Sequence, residues 1–452
     1  MGKRTIRFPG DRARFVLLLA VLIWAPLPLG SYDRWAMLLL AGLLCALGTW
    51  HLLSLAISGR QPSPVTRASI LPLGLLLSVA VWQFIQVYTV SRNPFDTSQF
   101  ALLSCGYFAA ALLITELVHS RERVTIMLWT LLAAAVAQAT FAVTRVLSGD
   151  MSILGFEFER SAVASGTFFN RNHFAAYMVI TLSMGIGLMV AQLGDPARNW
   201  RDLLRNLLDT IVSGKAGLRL LLIVLVIALI MTRSRMGNMG FFISLTGTAV
   251  LWAIVSQRLT RGFVIFLASI VIIDLALIGT IFGVEQVAER IGDTMAADAT
   301  PDARVFFNEV LSPMMKEFWL FGTGGGSFWT VFPAFRSEDI FVGLRNAHND
   351  YAQVVIELGI IGVICLGGFW LLCIRGSFQL LKSRDKWNRG MAFGGIMLAG
   401  YLALHASVEF NLYIPGVAVH MVAALTLLGV VVPELRHTRR RKRSRRSRSD
   451  DE

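Results

Sequence analysis

The chain has 452 residues, of which 55% are hydrophobic, with mean hydropathy +0.61 and a formal net charge of +13. Apolar runs of about 18 to 25 residues recur from end to end, which excludes a water-soluble globular enzyme and predicts a polytopic membrane protein. Alternating ten-residue segments are absent, so a transmembrane barrel is excluded as well.

In chain order, about twelve helical spans are expected: 14–30, 35–57, 69–91, 99–119, 124–147, 173–193, 217–233, 238–256, 262–283, 351–374, 391–412 and 415–433. Of the 42 basic residues, 30 fall on one face: the N-terminus, the loops 58–68, 120–123, 194–219, 257–261 and 375–390, and the tail from Arg436. The positive-inside rule makes that face cytoplasmic and places both termini there. The run Arg439 to Arg446 then reads as a topology signal touching anionic lipid, since no aromatic residue interleaves it as a nucleic-acid-binding surface would require. Nucleic acid is not an expected partner; membrane lipids are. Cys45, Cys105, Cys365 and Cys373 all lie within expected spans and lack metal-ligand spacing, so they read as small apolar groups.

Three regions follow from this reading: residues 1–147 with the first five spans, residues 148–433 with the rest and a large outer loop at 284–350, and a basic tail at 434–452. A loop as long as 284–350 implies a task. Within it, Pro301 and Asp302 open a short helix whose apolar residues Val305, Phe306, Val310, Leu311, Met314, Met315 and Phe318 form one face suited to the membrane interface, with Pro313 as a kink. The glycine-rich stretch Phe321 to Phe328 lacks the Gly-Lys-Ser/Thr ending and the preceding strand of a nucleotide loop. It reads as a tight turn, or as backbone amides that face an anion. Next comes Arg345-Asn346-Ala347-His348-Asn349-Asp350-Tyr351, which puts a titratable imidazole at a membrane surface directly beside a span.

Four segments in order, GTFFNRNHFAAY (166–177), TRSRMGNMGF (232–241), RVFFNEVL with LFGTGGGSF (304–328) and RNAHNDYAQVVIELGIIG (345–362), together resemble the O-antigen ligase and O-antigen polymerase superfamily; HASVEFNLYIPG (405–416) is a weaker fifth. The resemblance covers approximately residues 150 to 420. It implies an all-α, GT-C-like membrane protein with N and C termini cytoplasmic, one large periplasmic loop carrying short amphipathic helices, and a pocket facing the periplasm in the bacterial inner membrane. It also implies en bloc transfer of a glycan from undecaprenyl diphosphate to an acceptor hydroxyl, on the lipid A core or on a growing polysaccharide, without a metal ion or other cofactor.

Carried over position by position, the resemblance makes Arg235 and Arg304 diphosphate contacts and His348 the general base. Arginine suits the first task because its guanidinium stays charged and meets phosphate oxygens with two parallel donors. A neutral imidazole suits the second, because its ordinary pKa lies near physiological pH. Each also has a plain structural reading, a snorkelling headgroup anchor for the arginines and a helix cap for the histidine. Further substrate contacts are expected from Arg160, Arg171 and His173, from Asn349 or Asp350 as the group orienting His348, from Glu357 two turns into the next span, and from His405 and Glu409, four apart on one helical face. Asp274, in the middle of an expected span, has no assigned role. Ligase and polymerase share this donor chemistry, so the acceptor stays open. A transporter or flippase is the rival class, but its polar residues belong near the midplane in repeat-related halves, whereas here they concentrate on the outer face.

Overall fold

The computed structural model describes residues 10–149, 163–192, 215–256, 307–336 and 344–437. Every element among them is helical. The first group comprises α1 (Asp11–Trp24), α2 (Arg34–Ile57), α3 (Pro64–Ala68), α4 (Ile70–Tyr88), α5 (Pro94–Leu117) and α6 (Arg121–Ser148). Local chemistry sets their ends: Ser63, Asn93 and Ser120 each accept a hydrogen bond from a first-turn amide, Pro64 and Pro94 occupy opening positions, and Gly149 closes α6 at φ 72°.

The second group comprises α7 (Arg171–Ala191), α8 (Lys215–Met231), α9 (Arg235–Ser256), the short α10 (Ser312–Phe318) and α11 (Phe328–Val331), then α12 (Asp350–Leu381), α13 (Lys386–His405) and α14 (Pro415–Leu425), which runs on through a π-helical stretch. Among the described residues, eight helices are long and apolar enough to cross a membrane: α2, α4, α5, α6, α7, α9, α12 and the final helix from Pro415 to His437. The span expected at 14–30 shortens to α1, of 14 residues, and that expected at 217–233 shifts by two residues to α8, of 17 residues. That expected at 391–412 becomes α13, which stops at His405. The span at 262–283 with Asp274, and the basic tail beyond His437, lie outside the described residues.

The last helix and α7 are buried along essentially their whole apolar windows and form the centre of the bundle with α13, while α2 and α4 present broad apolar faces outward. A hydrophobic driving force between helices is weak in lipid, so close backbone approach has to supply the contact. Glycines allow it between α7 and α13: a Cβ on Gly187 would lie 2.9 Å from the Gly390 carbonyl oxygen, and one on Gly394 would lie 2.6 Å from that of Ser183.

Two interlocked glycines shape the end of the bundle that carries the 345–350 segment. Gly359 breaks α12 at φ 64°, ψ −163°, and a Cβ there would sit 2.5 Å from the Leu320 carbonyl oxygen. Gly322, at φ 71°, lies so close to α12 that its Cβ would be 2.2 Å from the Glu357 carbonyl oxygen. The carbonyls freed by the break are satisfied from outside the helix: Trp82 Nε1 donates to Leu358 O at 2.8 Å, and Gln86 Nε2 donates to Glu357 O at 2.8 Å and Phe321 O at 2.7 Å. Trp82 is thus a tether for the broken helix.

The apolar face expected to lie in the interface packs inward instead. Val310, Leu311 and Met314 are buried against Phe328, Phe332, Ala347, Ala352 and Ile356, so that α10 and α11 cap the upper turns of α12. Pro313 falls in the opening turn of α10, after a π-helical stretch at Phe307–Leu311, and so ends one helix where the next begins.

Candidate active site

Three separated pieces of chain converge at this end of the bundle. The first is the opening turn of α7, capped by Asn170, whose side chain accepts from Asn172 N–H at 2.8 Å. The second is the 344–349 segment, where Asn349 caps α12 by accepting from Ala352 N–H at 3.0 Å. The third is the turn after α13. Asp350 N–H donates to Ala406 O at 2.8 Å and to Glu409 O at 3.0 Å, and Leu412 N–H donates to the Asp350 carboxylate at 3.3 Å. These bonds lock the second piece to the third.

Glu409 stands at the centre. Its Oε2 lies 3.5 Å from His173 Nε2 and 3.8 Å from His348 Nδ1, and Asn172 donates to its Oε1. The Phe410 ring meets both imidazoles edge-on, with centroids 4.6 Å from His173 and 4.7 Å from His348. His405 is fully buried beneath, stacked on Tyr401, and its Nδ1 accepts from Asn411 Nδ2 at 2.7 Å.

Among these groups His348 is the accessible one, with half of its side chain exposed. Its backbone is left-handed at φ 50°, a conformation that costs a non-glycine residue about 1–2 kcal/mol. Strain of this kind concentrates where the surrounding structure holds a side chain for a purpose. Burial holds the imidazole below its ordinary value of 6.5, against the pull of the Glu409 charge, and His173 adds to the depression. His348 is therefore neutral at pH 7 and able to accept a proton. Burial works against the charge on Glu409, yet close contact with His173 and the influence of His173, His348 and His405 outweigh it and hold that carboxyl below the ordinary range.

Arg235 comes close to this group through α9. Ser234 N–H donates to the Thr232 hydroxyl at 3.0 Å and Gly237 N–H to the Ser234 hydroxyl at 3.2 Å, which starts α9 with Arg235 in its first turn. Gly237 lies so tightly on α7 that its Cβ would stand 2.6 Å from that of Ala175. The first turns that carry Arg235 and His173 are thus packed together. The Arg235 side chain is exposed, as is that of Arg171, and neither makes an ion pair or hydrogen bond among the described residues. Arg304 and Arg160 lie outside the described residues.

Three expectations change in detail. The carboxylate facing His348 belongs to Glu409, while Asn349 and Asp350 fasten the backbone around it. His405 and Glu409 do not share a helical face, because α13 ends at His405 and Glu409 belongs to the turn that follows. Glu357 faces the glycine-rich loop: its two oxygens accept from Gly326 N–H at 2.7 Å and Phe328 N–H at 2.8 Å. Those amides do face an acceptor, and it is the chain's own carboxyl group. Phe410 was not singled out by the sequence, although it sits inside the 405–416 segment that was. Among the described residues, no group of three or more His, Cys, Asp or Glu is arranged to hold a metal ion.

Residues 220–367 match the family model described as O-antigen ligase. Over that stretch the chain is similar to the O-antigen ligase family. No curated protein matches the chain. The O-antigen ligase match spans Arg235, the glycine-rich loop, His348 and Glu357, whereas His173, His405 and Glu409 come from outside it. In general terms it places this multi-pass membrane protein with the ligase and polymerase type of membrane glycosyltransferase, whose substrates are lipid-linked glycans and polysaccharide or lipid A acceptors.

Proposed function

We propose that this chain transfers a glycan from undecaprenyl diphosphate to a sugar hydroxyl, with His348 as general base and the reaction on the periplasmic side of the inner membrane. The observation that carries the reading is the half-exposed, neutral imidazole of His348, held in a left-handed turn with Nδ1 toward the buried Glu409 carboxylate. That orientation leaves Nε2 for the acceptor. The charge count supports the periplasmic side, since most of the basic residues fall in the segments the sequence assigns to the cytoplasmic face.

In the proposed step Nε2 takes the acceptor hydroxyl proton as the oxygen attacks the anomeric carbon of the donor. A new glycosidic carbon–oxygen bond forms and the bond from that carbon to the phosphate oxygen breaks, so the electron pair leaves with undecaprenyl diphosphate. Arg235, unpaired among the described residues and beside the first turn of α7, is positioned to meet the diphosphate oxygens, and Arg171 lies in that same first turn. The resemblance gives Arg304 the same task. Glu409 stabilises the imidazolium that forms, and His173 and Asn172 hold Glu409 in place.

The test is a reconstituted reaction with an undecaprenyl-diphosphate-linked oligosaccharide, following release of undecaprenyl diphosphate and lengthening of the glycan. His348→Asn keeps a residue that tolerates the left-handed backbone and removes the base; transfer within a few-fold of wild type would rule out the assignment. Lengthening of the lipid-linked glycan with no other acceptor added identifies a polymerase, whereas unchanged length until a lipid A core acceptor is supplied identifies a ligase.

A further inference from the structure

Beside the histidine cluster lies a solvent-open cleft whose walls the reading above does not use. It is built from the start of α2, the start of α5, the glycine-rich loop and the residues just before His348, none of which carries Arg235 or His173. Two aromatic rings flank it: Tyr32, stacked on Phe169 at 6.4 Å, and Trp329, which is 46% exposed. Phe100 and Tyr413, with ring centroids 5.6 Å apart, also line it.

Its charges are unevenly matched. Asp96 accepts from Arg34 at 3.1 Å, from Trp329 Nε1 at 3.0 Å and from Asn93 Nδ2 at 3.0 Å, so its carboxylate is fully engaged and Arg34 is balanced. Arg345 has no carboxylate among the described residues; its guanidinium lies over the face of Tyr32 at 5.4 Å and its side chain is exposed. The cleft therefore carries one uncompensated cation, backed by the Tyr32 ring, opposite one exposed aromatic face, that of Trp329. Aromatic faces take the apolar side of a pyranose, and a guanidinium takes a carboxylate or phosphate through two parallel hydrogen bonds.

We infer that this cleft is an acceptor subsite for a sugar ring carrying an anionic substituent, held by Arg345 and stacked on Trp329. The inference rests on the glycosyltransferase reading and deepens it. Arg345 is three residues from His348, a stretch of at most about 10 Å, and Tyr413 in the cleft is three residues from Phe410 in the cluster. One glycan chain can therefore occupy the cleft while offering its terminal hydroxyl to the imidazole. Asp96 acts as a positioning residue, orienting Trp329 and neutralising Arg34 so that the anion goes to Arg345.

The test is saturation-transfer NMR on the full-length protein in nanodiscs, with glucuronate, glucose 1-phosphate and glucose as probes. Glucuronate, glucose 1-phosphate or both should saturate, with glucose about ten-fold weaker, and whichever anion dominates names the substituent. Arg345→Gln should remove the preference for the anion, Trp329→Ala should weaken all three probes, and Trp329→Phe, which keeps a ring, should retain binding. Equal saturation by glucose and both anions, or an unchanged preference in Arg345→Gln, would overturn the subsite. Binding is read without turnover, so the two ideas fail separately. His348→Asn should bind the probes like wild type; if that variant also keeps transfer activity, the base assignment fails while the cleft stands.

Discussion

Two buried carboxylates near the same end of the bundle make opposite use of their surroundings. Glu357 is saturated, with backbone amides from Gly326 and Phe328 on its oxygens and Gln353 Nε2 at 3.3 Å. Glu409 is engaged on Oε1 by Asn172, but its Oε2 faces two imidazoles at 3.5 and 3.8 Å without a hydrogen bond, and His173 Nε2 and His405 Nε2 are likewise without one. Full satisfaction fixes a loop in one place. Incomplete satisfaction around groups that exchange protons leaves them able to change state. In the proposed reaction the first carboxylate belongs to the scaffold and the second to the chemistry, although burial alone makes them look alike.

The sharpest way to break this contrast is His348→Asn, for which transfer should fall by about 10²–10⁴-fold while the thermal unfolding midpoint stays near wild type. Glu409→Gln should lower the transfer rate by about 10- to 100-fold and also move its pH profile. In the wild type His348 is held below 6.5, so its neutral form, and with it activity, persists below pH 6.5 and is lost as pH falls through that depressed value. The Glu409 charge raises the proton affinity of His348, so removing it should shift the acid limb to still lower pH. An acid limb that moves upward or stays put would contradict the pairing.

Glu357→Ala should behave differently. It leaves two buried amides without an acceptor, for a loss of about 2–6 kcal/mol of stability read as a lowered unfolding midpoint. The smallest effect is expected for Asn349→Ala, about 1 kcal/mol from the lost cap of α12. A fall in transfer approaching that of His348→Asn would show that Asn349 touches substrate as well.

The helical membrane character and the presence of a polar group near His348 were legible in the sequence because both rest on local signals: long apolar runs, and charged residues held at span ends. Which carboxylate meets His348 was not. Asp350 is adjacent in sequence, but its backbone and side chain are committed to the 406–412 turn, and that turn delivers Glu409 from about sixty residues away. Helical periodicity also misjudged Glu409, because α13 stops four residues before it. The inward packing of Val310, Leu311 and Met314 was equally hidden, since an apolar face reads the same whether lipid or Phe328 and Phe332 cover it. Arg235 was singled out through the order of the motifs; the packing of its turn against that of His173 depends on Gly237 lying against Ala175, a contact that no periodicity announces.

The glycine seam between α7 and α13 carries a consequence for the distant histidines. His173 opens α7 and His405 closes α13, while Gly187, Gly390 and Gly394 meet some fourteen residues along α7, roughly 20 Å away. Each helix is a stiff rod gripped at that point, so the seam works as a fulcrum. A single methyl inserted there, as in Gly187→Ala, has the Gly390 carbonyl in its way, and the rods must splay or tilt to admit it. Their far ends then swing, and the spacing around Glu409 changes without any alteration to a residue that touches it.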